Sequence, residues 1–183
     1  MILAYKTEID PVSEQVEEIE QIELEQIEQI EKIHRTIGVC RFVYNLFIAT
    51  NQQNYKEGKQ YLNAYTFSKW LNNDYSEFHP ENSWIREVSS KAVKQTIINA
   101  DLAYKRYFKT KKGLPKFNRK HDIDTGFYIS RNNEKDTEAQ RHRIKIPTLG
   151  WVKLKEYGYI PIGLNATGIR LKLEQEDTLC LAV

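Results

Sequence analysis

The chain has 183 residues, 40% hydrophobic and 11% aromatic, with 27 basic and 25 acidic side chains and a net charge of +2. That length supports one domain or two small ones, and eleven tyrosines and three tryptophans exclude a disordered chain. There is no membrane-length apolar run, no signal peptide at the N-terminus, and no metal or redox spacing around Cys40 and Cys180, so the expectation is a reduced cytoplasmic protein without cofactor.

Overall neutrality hides a segregation of charge. Residues 1–31 hold ten acids and one base, Lys6, which leaves 26 bases and 15 acids for the rest, a net charge of about +11. A basic body of this size implies a polyanionic partner.

Residues 1–9 alternate loosely and predict a strand, and Asp10-Pro11 then starts a helix with a cap and a first-turn proline. Val16, Ile19, Ile22, Ile27, Ile30, Ile33 and Ile37 follow a helical period through a near-repetitive Glu/Gln tract. Two readings stay open for this tract: a coiled-coil-like dimerisation arm, or an expanded first helix whose inner face continues into the core. Drift from strict 3.5-residue spacing favours the second.

Residues 38–56 continue helically, with Val39, Phe42, Val43, Leu46 and Phe47 as core, until Gly58. A short helix over 66–72 with Thr66 as cap follows, then a break at His79-Pro80 and a turn at 84–88. Ser89 or Ser90 caps the next helix, in which Val93, Ile97, Ala100, Tyr104 and Tyr107 form one apolar stripe. Lys91, Lys94, Gln95 and Lys105 fall away from it. Gly113 and Pro115 end the helix in a cationic loop holding Lys109, Lys111, Lys112, Lys116, Arg119 and Lys120. A buried face backed by cations suits a phosphate-binding surface; a solvated helix with a basic turn fits the same residues.

From residue 122 the texture changes to short alternating runs at 125–130, 143–146, 151–155, 168–173 and 178–183, an antiparallel meander or small barrel. Its polar alternates, Arg143, Lys145, Lys153, Lys155, Arg170 and Lys172, predict one cationic sheet face. The acids at 122–138 read as a solvated loop.

Several blocks, in this order and spacing, carry a family likeness: the opening strand with Asp10-Pro11, TIGVCRFVYN at 36–45, SWIREVSSKAVKQTI at 83–97, LAYKRYFK at 102–109, GLPKF at 113–117 and IKIPTLGWVK at 144–153. With them the chain resembles the N-terminal half of TnpB-like (OrfB-type) transposases, RNA-guided nucleases related to type V CRISPR effectors. The resemblance implies an α+β fold. A small antiparallel wedge-type β-barrel would come from residues 1–10 and 121–183, with a helical, helix-turn-helix-like recognition domain inserted at 11–120. It implies DNA and a structured guide RNA as partners, the protein reading a short duplex motif and base pairing reading the rest.

Motif readers in such proteins match Ser90, Lys91, Lys94 and Gln95, then Tyr65 and Ser130. Lys and Gln offer donors and an acceptor to base edges and phosphates. Lys105 and the cations of the loop, with Lys153 and Lys155, complete the expected nucleic-acid surface. Taken singly, Tyr65 and Ser130 also fit ordinary packing and turn chemistry.

Two departures from the family pattern stand out. The first helix is about fourteen residues longer, close to four turns, so the downstream block keeps its phase while an acidic rod projects. The family's nuclease domain would follow Val183, so no catalytic or metal-binding residue is expected in this chain. The leading function is a nucleic-acid-binding module of a truncated TnpB-like transposase. A stand-alone DNA-binding regulator and a protein-interaction module built on the acidic helix remain as alternatives.

Overall fold

The computed structural model describes residues 6–8, 16–120, 126–130, 138–155, 157–162, 168–173 and 179–182, with side chains in 27–120, 126–130, 138–155, 157–162 and 168–171. The expected helix start at Asp10-Pro11 and the acids Asp122, Asp124, Glu134 and Asp136 lie outside these residues. The chain divides into two compact units, Met1–Ile37 with Ile123–Val183, and Gly38–Asp122.

Helix α1, Val16–Lys56, is continuous. Ile33, Ile37, Cys40, Val43, Phe47 and Asn51 are buried at steps of three and four, the stripe of a helix packed along one side. Toward the N-terminus that stripe surfaces: Ile27 is 55% and Ile30 37% exposed. The helix ends with Gly58 at φ +66° and the Lys59 N–H donating back to the Asn54 carbonyl at 2.8 Å, a closure that needs a left-handed residue.

The second unit is a cluster of helices around one aromatic core. Helix α2, Ala64–Trp70, leads into a π-helical turn, Leu71–Tyr75, a short α3, Ser76–Phe78, and a 3-10 segment, Pro80–Glu87. Helix α4, Ser90–Thr110, follows. Phe47, Phe67, Ile97 and Ala100 are almost fully enclosed in this core. Phe47 meets Phe67 edge to face at 4.8 Å between centroids, and Tyr61 meets Tyr104 at 5.6 Å. Such geometry adds roughly 0.5–1.5 kcal/mol per pair beyond the area buried.

Two buried polar side chains in this unit, Asn51 and Asp101, are paired. Asn51 holds the α1–α2 connection: its Nδ2 donates to the Phe47 and Leu62 carbonyls, and its Oδ1 accepts from the Leu62 N–H at 2.8 Å. Asp101 accepts from the Tyr61 hydroxyl and from Lys105 Nζ, each at 2.8 Å. The π turn frees carbonyls that side chains then take up. Ser76 Oγ donates to the Leu71 carbonyl at 2.7 Å, and Arg86 donates to that of Asn72 at 2.8 Å.

Three local expectations are corrected here. Asn63, not Thr66, caps α2, because its extended backbone lets Oδ1 accept from the Tyr65 and Thr66 N–H groups at 3.0 Å. Ser89 occupies the N-cap position of α4 but makes no side-chain cap bond. That helix ends at Lys111, left-handed at φ 57°, before Gly113 and Pro115 are reached. Thr110 Oγ1, which accepts from the Lys112 N–H at 3.3 Å, helps hold this non-glycine left-handed residue.

In the first unit, β1 (Lys6–Glu8), β2 (Gly126–Ser130), β5 (Gly168–Leu173) and β6 (Leu179–Ala182) form an antiparallel sheet in the order β1-β6-β5-β2. Strands β3 (Arg143–Ile146) and β4 (Gly150–Lys153) form a separate hairpin. The fold is therefore α+β, and among the described residues these sheets are not closed. Alternation is clear in β2, where Phe127 and Ile129 are buried between half-buried neighbours. Gly168 is required in β5, since a Cβ there would collide with the Tyr128 ring and lie 2.8 Å from the Ile129 carbonyl.

The single cationic sheet face is also corrected. Arg143, Lys145 and Lys153 belong to the β3–β4 hairpin, whereas Arg170 and Lys172 belong to β5 of the other sheet. Arg143 is turned onto Trp151, 4.6 Å from the ring centroid, and donates to Gln140 Oε1 at 2.6 Å. Within α1, one turn near the end of the acidic tract is anchored. Gln29 Nε2 reaches the Leu149 and Trp151 carbonyls at 3.3 and 3.2 Å, tying that turn to the hairpin.

Candidate nucleic-acid interface

Helix α4 presents its polar face through sequence spacing alone. Lys91, Lys94 and Gln95 stand at i, i+3 and i+4, while Ala92, Val93, Ile97 and Ala100 are buried. Lys94 and Ser90 are exposed, and Lys91 is half-buried. Gln95 donates from Nε2 to Asn99 Oδ1 at 3.0 Å, which orients its carbonyl oxygen away from that bond.

Helix α2 packs beside α4 and leaves an open groove of about 520 Å³ between them. Ala64, Tyr65, Ser68, Lys69 and Asn72 line one wall; Lys94, Ile97 and Ile98 line the other. Tyr65 and Lys94 thus meet at one groove. Tyr65 is 79% exposed, so its ring is not spent on core packing. The groove combines two ammonium groups, hydroxyl and amide donors, and an apolar floor. That chemistry suits the edges and phosphates of nucleic acid.

Lys69, Ser68 and Asn72 escaped the sequence reading. A signal existed, since Lys69 and Asn72 lie four and seven residues beyond Tyr65 on one helical face.

The remaining expected contacts separate into groups. Lys105 is ion-paired with buried Asp101, so its charge is partly committed within the fold. Lys109 is exposed in the last turn of α4, and Lys111, Lys112, Lys116, Arg119 and Lys120 are exposed along the extended segment that follows. No acid occurs from residue 102 to residue 121. This segment is fixed at one point by a two-bond clamp: Asn45 Nδ2 donates to the Asn118 carbonyl at 3.0 Å, and the Asn118 N–H donates to Asn45 Oδ1 at 2.8 Å. Ser130, paired with Gly168, and Lys153 and Lys155 belong to the sheet-bearing unit.

Burial shapes the titration of the helical unit. Burial pushes the Cys40 thiol up to about 11, with a hydrogen bond from Thr96 pulling the other way. Burial first, and the adjacent Asp101 carboxylate second, push the Tyr61 hydroxyl well above its ordinary range. Tyr44, Tyr75 and Tyr104 are also raised, chiefly by burial. No described helix is long and apolar enough to cross a membrane.

Comparison with known proteins matches residues 27–60 to a family described as a helix-turn-helix domain, of the OrfB type. The matched residues cover α1 from Ile27 to its end and the turn beyond it. A curated protein of Escherichia coli (strain K12), named as an RNA-guided DNA endonuclease, InsQ, is 27% identical over 121 residues. That alignment covers 66% of this chain and 29% of the relative. Together the matches support a TnpB-like N-terminal region carrying an OrfB-type helix-turn-helix domain.

Proposed function

We propose that the chain is the nucleic-acid-binding N-terminal module of a TnpB-like transposase. The helices α1, α2 and α4 form a recognition domain, at 11–120, inserted into a wedge-type barrel formed by 1–10 and 121–183. The recognition domain reads a short duplex motif, and wedge and helices together grip a structured guide RNA. The observation that carries this reading is the meeting of Tyr65 and Lys94, expected separately as motif readers, at one cationic groove.

In this scheme Lys91 and Lys94 contact phosphate or base edges from α4, and Gln95 reads an edge. Tyr65 wedges or stacks at the rim, and Lys69 adds a phosphate contact from α2. Ser130, Lys153 and Lys155 contact nucleic acid from the sheet-bearing unit. The OrfB helix-turn-helix match supports the DNA half of the proposal. The name of the matched relative supports the RNA half.

The test is binding of the full chain to a randomised duplex library and to structured RNA across a salt series. Each lost phosphate contact reduces the salt slope by about one. Lys91→Ala with Lys94→Ala should therefore weaken duplex binding and flatten the slope by about two, with the circular dichroism spectrum unchanged. Wild-type duplex affinity in that variant sinks the assignment. Binding that ignores salt, or no binding, sinks the function.

A further inference from the structure

The segment after α4 carries more than charge. Phe117 and Leu114 are each 49% exposed, although large apolar side chains normally bury where they can. They are interleaved with Lys111, Lys112, Lys116 and Arg119, all exposed, in a stretch without an acid. Pro115 between them is buried, so the segment is seated rather than loose. The Asn45–Asn118 clamp fixes the backbone on the C-terminal side of Phe117, using the side chain of one helix to copy a strand-like pairing.

We propose that residues 111–120 form a platform for an unpaired nucleic-acid strand, with Phe117 stacking on a base. Lys112, Lys116 and Arg119 hold the flanking phosphates. Asn45 is a positioning residue that holds Phe117 in place without touching the strand. The inference rests on the nucleic-acid reading above and adds which form of the polymer is bound at this place. Duplex phosphates need cations only. An exposed aromatic between cations matches an unpaired base, whose π face a duplex conceals within its stack. The ligand chemistry, base plus phosphate, is shared by single-stranded DNA and RNA.

The experiment measures fluorescence anisotropy of the full chain with labelled oligo-dT, oligo-rU and a mixed-sequence duplex. Phe117→Ala should weaken both single strands about tenfold, the scale of one lost base–aromatic stack, and leave the duplex unchanged. Asn45→Ala should weaken the single strands in the same direction by a smaller factor. Phe117→Trp should keep wild-type affinity and add fluorescence quenching on binding. That variant gives a readout even if the alanine variant is unstable. Oligo-rU favoured over oligo-dT points to the guide as source, and the reverse to a displaced DNA strand; either supports the platform.

Single-strand affinity untouched by Phe117→Ala, or equal losses for duplex and single strands, overturns the platform. So does an absence of added quenching in Phe117→Trp. The motif-reading groove is judged separately by Lys91→Ala with Lys94→Ala, which should cost duplex affinity and spare the single strands.

Discussion

Removing the Tyr61 hydroxyl isolates one buried interaction. In Tyr61→Phe the ring remains, so its edge contacts with Tyr104 at 5.6 Å and Phe108 at 5.4 Å persist. What disappears is the bond to Asp101 Oδ1 at 2.8 Å. Asp101 is 4% exposed, so water cannot readily replace the lost donor. Its other oxygen keeps Lys105 at 2.8 Å, which limits the damage. A hydrogen bond to a charged acceptor contributes about 1.5–3 kcal/mol, and the surviving partner argues for the lower part, about 1.5–2 kcal/mol.

With an m-value of roughly 2 kcal/mol/M in urea, the midpoint should fall by about 1 M. The assay is urea unfolding followed by near-ultraviolet circular dichroism, which reports this aromatic cluster. Lys105→Ala serves as a control: its side chain is 61% exposed, so the loss should stay near 0.5 kcal/mol. A Tyr61→Phe midpoint within 0.2 M of wild type would refute the reasoning.

Alkaline pH should act on the same group. The folded state holds Tyr61 protonated above its ordinary pKa of 10.0, so its contribution is complete below pH 10 and is lost as pH rises beyond it. Urea midpoints should decline above pH 10, less steeply in Tyr61→Phe; a flat profile refutes this. Cys40, its thiol at about 11 and buried, should resist iodoacetamide at pH 8 in the native chain and react in urea, as read by peptide mass mapping. Gly168→Ala should lower thermal stability by about 1–3 kcal/mol through collision with Tyr128 and the Ile129 carbonyl. Gln29→Ala, which deletes both bonds to the β3–β4 hairpin, should speed proteolysis within residues 16–32 without changing cleavage in α4.

Periodic features were legible in the sequence. The buried stripe of α1 from Ile33 onward and the strand spans at 143–146 and 168–173 followed from apolar spacing, because burial on one side imposes that spacing. The cationic face of α4 followed by subtraction. Polar pairings across long separations left no such trace. Nothing near Asn45 announces Asn118, and nothing near Gln29 announces the hairpin carbonyls, since an amide can satisfy any backbone that folding brings to it. Strand order was equally silent: β6 pairs with both β1 and β5, a choice made by the three-dimensional meeting of the chain ends rather than by local pattern. Lys69 carries no signal as a single residue of a short helix; only its place four residues beyond Tyr65 on one helical face marks it.

The π turn at Leu71–Tyr75 has a consequence for how this sequence can vary. A π turn accommodates one residue more than the α-helical count, and both of its ends, Leu71 and Tyr75, are buried. Deleting one residue from the exposed stretch between them would shorten the ladder to an ordinary turn while keeping an apolar residue at each end. Ser76 and Arg86 would then lose the carbonyls they now bond. Single-residue length changes between Leu71 and Tyr75, accompanied by changes at Ser76 and Arg86, should therefore be the tolerated form of variation among relatives.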